Sequence, residues 1–208
     1  MATASAFDFL LFDLGGVLID FAGFDELGRL LPGGVDRDEV RSRWITSLSV
    51  QRFERAEITP QKFAVGVVRE LKLNLSPDEF IAAFVGWARG LYPGARSLLD
   101  RVQGTYRLAC LSNSNELHTP IHRRSIEPLM DRYFFSDELG LVKPDREIFE
   151  YVIRDLDVPP RRIAFFDDTP VNVQAAREVG IVAFEVDGIV ELKSQLQGLG
   201  VVSPERAP

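Results

Sequence analysis

Cysteine is almost missing from this chain. Cys110 is the only one in 208 residues, so no internal disulfide can form. It lies inside the apolar run Leu108–Leu111, which predicts a buried, inert thiol and not a nucleophile. Histidine is nearly as scarce. His118 and His122 are four apart, but with no third ligand near them they read as a solvated helix face, not a metal site. Basic residues are in deficit, 24 Lys and Arg against 31 Asp and Glu, for a net charge of −7 and a pI near 5.0. That balance excludes a nucleic-acid footprint or a polybasic membrane patch. It also means that an anionic ligand requires local positive charge or a cation. No apolar run reaches the roughly 18 residues of a membrane span. Met1–Ala6 is small and neutral and lacks the basic start of a signal peptide, so a cytoplasmic location is expected. No repeat or low-complexity tract occurs, and only Gly198–Pro208 looks ragged.

What is present is an ordinary globular mixture, 46% hydrophobic and 26% charged, long enough for one large domain or a core with a modest insertion. The stretch Phe7–Val17 (FDFLLFDLGGV) organises it. Phe7–Leu14 is nearly all apolar, as suits a strand covered on both faces of a parallel sheet. Asp13 falls at its exit with Gly15 and Gly16 just behind, where open α/β sheets place their sites.

A helical block follows, from about Gly23 to Gly90. Val40, Trp44 and Leu48 recur every fourth residue, as do Phe63, Val67 and Leu71 behind Thr59-Pro60. Ser76-Pro77-Asp78-Glu79 reads as a capping box opening a helix through Phe80, Ile81 and Phe84 to Trp87. The pattern changes at Tyr92-Pro93-Gly94. Strands at Arg107–Ser112, Tyr133–Ser136, Arg162–Phe166 and Ile181–Val186 then alternate with helices at Gly94–Val102, Glu116–Met130, Asp145–Asp155, Val171–Val179 and Ile189–Leu196. Such alternation implies right-handed βαβ units and a parallel sheet between helical layers. With Phe7–Leu14 the sheet has five strands, and the helical block is an insertion after the first of them. The expected division is a core of residues 1–20 and 91–208 with a helical unit of residues 21–90.

Parallel strands deliver their carboxyl ends to one edge. Strand one brings Asp13 and Gly15 there, and Arg107–Leu111 brings Ser112-Asn113-Ser114-Asn115. Arg162–Phe166 brings Asp167-Asp168-Thr169-Pro170, and Lys143-Pro144 precedes a helix start. Any one of these could be a simple turn or cap. Together they assemble three carboxylates, a hydroxyl and amide cluster and one lysine. The carboxylates offer a hard-oxygen site suited to Mg²⁺, and would repel each other without a cation. Ser112 and the amides after it can hold phosphate oxygens, Lys143 can balance charge, and Asp13 can attack phosphorus.

FDLGGV, LSNSN, the lysine of LVKPD and FFDDTPVN, in that order, resemble the four motifs of the haloacid dehalogenase-like (HAD) hydrolase superfamily. The resemblance implies a Rossmann-like three-layer core with a five-stranded parallel sheet and a small helical cap inserted after the first strand. It also implies a Mg²⁺-dependent phosphatase acting on a small phosphorylated metabolite. Asp13 would then be nucleophile and metal ligand, and Ser112 a phosphate ligand with Gly16, Asn113 and Lys143 beside the substrate. The metal would be held by Asp13, the Gly15 carbonyl and Asp168, with Asp167 near or through water and Asn172 in support. LSNSNELH, KPDREIFEYVI and FERAEITPQKF look most similar to sugar-phosphate phosphatases acting on α-D-glucose 1-phosphate.

One departure stands out. Most phosphatases of this family carry Asp two residues after the nucleophile, where this chain has Gly15. That residue supplies general acid–base catalysis, typically about 10²–10⁴-fold. Glu54 or Glu57 of the cap, a bound water or the substrate itself could replace it. Two other readings remain from sequence: a metal-independent 2-haloacid dehalogenase, which the acid pair Asp167–Asp168 argues against, and a non-catalytic HAD-like binding protein. The cap aromatics Trp44, Phe53, Trp87 and Tyr92 read as cap core or cap–core contact before they read as a sugar pocket. Arg43, Arg52 and Arg55 read as solvent-facing.

Overall fold

A computed structural model describes residues 6–203. Residues 1–5 of the neutral start and the last five residues of the stretch Gly198–Pro208 lie outside the described residues. Five strands form one parallel sheet: β1 (Phe9–Phe12), β4 (Arg107–Ser112), β5 (Arg132–Phe135), β6 (Ile163–Asp167) and β7 (Val182–Glu185). Their order is β5-β4-β1-β6-β7. The central strand β1 is FLLF and wholly buried, because helices cover both faces of the sheet and side chains of either parity meet a core. Phe12 and Leu10 point into one apolar cluster, and Phe9 and Leu11 into the other. Phe12 stacks on Phe166 of the neighbouring strand, with centroids 5.4 Å apart.

Parallel pairing puts Phe12 beside Cys110 on one side and Phe166 on the other. Asp13, Ser112 and Asp167 therefore sit at the same edge. Cys110 is fully buried, with its thiol pushed up to about 12 by burial, the inert state its apolar surroundings predict.

Between β1 and the rest, helices at Gly23–Leu30, Arg37–Thr46, Leu48–Glu54, Pro60–Glu70 and Pro77–Val85 bury their own aromatic cluster. Trp44, Phe53, Phe63, Phe80, Phe84 and Trp87 pack there, with Phe53 and Phe63 stacked at 4.2 Å. Thr59 caps its helix by accepting from the Lys62 N–H, and the capping box at Ser76–Glu79 is complete.

Three local readings needed correction. Leu48 does not continue the stripe of Val40 and Trp44. Ser47 ends one helix and caps the next by accepting from the Val50 N–H, and the break leaves Leu48 62% exposed. The helical block does not run unbroken to Gly90: Ala88–Leu91 is a strand, β3, pairing antiparallel with β2 (Ile19–Phe21), so the neck of the helical unit is one small sheet. The helix expected over 116–130 is shorter. The Asn115 side chain accepts from the N–H groups of Leu117 and His118, delaying the helix to Thr119–Ile126 with Pro120 in its first turn. Pro128 then falls in a 3₁₀ turn, Glu127–Leu129. Among the described residues no helix is long and apolar enough to cross a membrane.

Candidate active site

A cavity of about 420 Å³ opens at the carboxyl edge of the sheet, beneath the helical unit. Asp13, Gly15, Gly16, Ser112, Asn113, Lys143, Asp168 and Asn172 all line it. Lys143 is its electrostatic centre. The Nζ donates to Asp13 Oδ1 at 2.8 Å, to Asp167 Oδ2 at 2.6 Å and to the Leu111 carbonyl at 3.0 Å. Burial alone would depress this lysine, but Asp13 and Asp167 outweigh it and hold its pKa above the ordinary value. The ammonium is thus a permanent cation inside the protein.

Asp167 is fully buried and its oxygens are already engaged. Oδ1 accepts from the Thr169 N–H at 2.8 Å and from Asn172 Nδ2 at 3.0 Å, while Oδ2 takes Lys143 and a second approach of Asn172. Asp168 stands at the rim. Its Oδ1 accepts from the Thr169 hydroxyl at 3.0 Å and its Oδ2 from Arg41 Nη2 at 2.5 Å. Asp13 has Oδ2 left over. Burial is the main force raising the Asp13 carboxyl to about 7; Lys143 opposes it, and Asp167 and Asp168 add to it. Burial also raises Asp168, against the pull of Arg41.

The three carboxylates bring one oxygen each within 4.8 Å of the others. Three hard anionic oxygens, mutually repelling with a single lysine among them, fit a divalent cation of the Mg²⁺ type. Among the described residues no sulfur or imidazole joins the cluster, which disfavours softer metals.

Gly16 is shaped for this place. Its φ is +79°, and a Cβ there would lie 2.6 Å from Asp168 Oδ2. Its N–H donates to the Ile19 carbonyl and its carbonyl accepts from the Gly188 N–H, so what it contributes is clearance for Asp168. Gly16→Ala is expected to lose about 1–2 kcal/mol to the left-handed backbone alone and to displace Asp168. Urea unfolding and an activity assay on the same variant check both effects.

Ser112 is buried at the end of β4, with its hydroxyl near only the Asn113 carbonyl, at 3.5 Å. The Asn113 side chain is occupied: Nδ2 donates to the Lys143 carbonyl at 2.9 Å and to Glu54 Oε2 at 3.2 Å, and Oδ1 accepts from the Lys143 N–H at 2.8 Å. It positions Lys143 and ties the helical unit to the core.

The histidines correct the solvated-face expectation. His118 and His122 are 2% and 4% exposed and line the same cavity. His118 Nε2 lies 2.8 Å from the Phe84 carbonyl, and its ring packs 4.2 Å from the Phe84 ring. His122 Nδ1 is 3.3 Å from the Ser114 hydroxyl, and Nε2 has no hydrogen-bond partner. Burial, with His118 adding, pushes His122 down to about 3 from its ordinary 6.5. Below pH 6.5 the unfolded chain therefore binds the proton that the folded one refuses, and stability falls as pH falls. Between pH 7 and pH 5 this one residue is expected to remove about 2 kcal/mol. Urea melts of wild type and His122→Asn at the two pH values measure it: the variant loses less stability over that interval.

Two cap-to-core ion pairs escaped the sequence reading. Arg41 reaches Asp168, and its other nitrogen donates to the Asp168 carbonyl at 2.8 Å. Arg55, read as solvent-facing, pairs with Asp145 at 2.5 Å. No local signal marks either one, because an arginine at a helix position looks alike whether its partner is water or a carboxylate 127 residues away.

A model of the haloacid dehalogenase-like hydrolase family matches residues 7–180. The chain is similar to the D-ribitol-5-phosphate phosphatase of Bacteroides thetaiotaomicron, 23% identical over 196 residues that cover 90% of this chain and 95% of that one. A HAD family enzyme of the same organism, crystallised with magnesium and inorganic phosphate, superposes with a TM-score of 0.66 at 24% identity, over 86% of this chain and 93% of that one. The L-2-haloacid dehalogenase PA0810 superposes at 0.61 with 22% identity, over 92% and 99%. The four motifs, the sheet order and the family match agree: the chain belongs to the haloacid dehalogenase-like hydrolases and is an enzyme of that family.

Proposed function

We propose that this hydrolase is a Mg²⁺-dependent phosphatase that cleaves a small phosphomonoester through a phosphoaspartate on Asp13. The observation that carries the reading is the buried triangle Asp13–Lys143–Asp167 with Asp168 at its rim. A dehalogenase needs an aspartate nucleophile but has no use for three convergent carboxylates. The relatives add support, one being a phosphatase of a sugar-alcohol phosphate and one a magnesium and phosphate complex.

In this reading Asp13, Asp168 and the Gly15 carbonyl hold the cation, with Asp167 behind them. Bound there, Mg²⁺ would neutralise the carboxylates and draw charge from the phosphoryl oxygens. Lys143 carries the rest of the neutralisation, favours the ionised form of Asp13 and aims it. Ser112 receives a phosphoryl oxygen, and Asn113 contributes through its main chain, since its side chain is engaged. Asp13 displaces the alcohol, and water then hydrolyses the acyl phosphate. The unit of residues 21–90 acts as a cap that excludes bulk water in the first step. Phe21, Phe24 and Trp44 line the cap side of the cavity and receive the leaving group, for which a sugar or polyol phosphate is the class to try first.

Phosphate release from a panel of phosphorylated metabolites, with Mg²⁺ and with EDTA, tests the proposal against chloride release from a 2-haloacid. EDTA-sensitive phosphate release is expected. Metal-independent chloride release without phosphatase activity would replace this reading with the dehalogenase one.

A further inference from the structure

The proposed reaction needs a proton for the departing oxygen, and Gly15 cannot give it. Four carboxyl side chains line the cavity: Asp13, Glu54, Asp145 and Asp168. Three are paired to a cation, Asp13 with Lys143, Asp145 with Arg55 and Asp168 with Arg41. Among the described residues Glu54 is the one in the cavity without a salt-bridge partner. Its hydrogen bond is a neutral one, from Asn113 Nδ2 at 3.2 Å, and the same amide is fixed to the main chain of Lys143. Glu54 ends the helix Leu48–Glu54, so it enters the cavity from the cap side, the side to which the phosphatase reading assigns the leaving group. Glu57, three residues on, pairs with Arg52 at 3.3 Å and does not line the cavity. His118 is bonded to Phe84, and His122 is held neutral.

Resting on the phosphatase reading above, we propose that Glu54 is the catalytic acid and base of this enzyme, taking from the cap the role of the carboxylate that Gly15 lacks. In the first step a bond forms between Asp13 and phosphorus and the ester P–O bond breaks. Its electron pair stays on the alcohol oxygen, which takes the Glu54 proton. In the second step Glu54, now a carboxylate, takes a proton from water as that oxygen bonds to phosphorus. The P–O bond to Asp13 breaks, its electron pair returns to the carboxylate, and inorganic phosphate leaves. One water is consumed and Glu54 is protonated again. Burial raises this carboxyl to about 7, so the proton is available at neutral pH.

Glu54→Gln, which keeps shape and the contact with Asn113, tests the proposal on an alkyl phosphate and on 4-nitrophenyl phosphate with Mg²⁺. Alkyl phosphate turnover is expected to fall by about 10²–10⁴-fold. The nitrophenyl ester, whose leaving group needs no proton, is expected to give a fast burst of one nitrophenolate per enzyme and then slow turnover as phosphoaspartate accumulates. Glu57→Gln should behave as wild type. Unchanged alkyl turnover in Glu54→Gln, or an equal loss on both esters without a burst, would overturn the role. If wild type itself releases no phosphate from any ester, the failure belongs to the phosphatase reading and not to Glu54.

Discussion

Asp13→Asn is expected to lower phosphate release by at least about 10⁴-fold, the scale seen when a nucleophile is removed from a site whose members act together. The amide matches the carboxylate in shape, so Lys143 keeps the Asp167 oxygen and the Leu111 carbonyl as acceptors. What disappears is the carboxylate that the proposed reaction uses as its nucleophile. The fold should hold, because Asp13 is an expensive charge to bury: its carboxyl stands at about 7 instead of its ordinary 3.8, with burial the main cause. Phosphate release and a urea melt on the same sample separate the two effects. Equal turnover in wild type and variant would move the chain to the non-catalytic reading.

Lys143→Met is expected to damage stability as well as activity. Removing the ammonium leaves Asp13 and Asp167 buried and facing each other, and breaking a buried ion pair costs about 3–5 kcal/mol. Asp167 is the worse stranded, being fully buried, though Asn172 and the Thr169 N–H still bind it. Activity is expected to fall too, since among the described residues Lys143 alone is paired with Asp13. Urea unfolding gives the first effect and phosphate release the second. A variant as stable as wild type would mean that the two carboxylates meet water, contrary to their burial.

The catalytic edge was legible in the sequence because parallel strands advertise themselves twice: in buried runs such as FLLF and LACL, and in the polar residues that end them. Since β1, β4 and β6 must emerge together, Asp13, Ser112 and Asp167 could be placed side by side without a contact map. Lys143 was placed by its helix start, and its Nζ lies between Asp13 and Asp167.

What stayed hidden depends on partners distant along the chain. β2 and β3, IDF and ARGL, alternate too briefly to read as strands; they form because both ends of the helical unit must pass through one neck. His118 and His122 have the spacing of a solvated face, but the helical unit lays Phe84 over His118, and His122 packs between His118 and Phe135. Arg41 and Arg55 look like ordinary surface cations until the cap is closed on Asp168 and Asp145. Glu54 could be named from sequence only alongside Glu57. Burial and the absence of a cation partner separate them, and both come from tertiary packing.

The most direct test of the account is an acid quench during turnover of 4-nitrophenyl phosphate with Mg²⁺, followed by peptide mass mapping. One phosphoryl group is expected on the peptide that carries Asp13, removable by hydroxylamine, absent from Asp13→Asn and more abundant in Glu54→Gln. Rapid phosphate release with Asp13 unmodified in every sample would contradict the account.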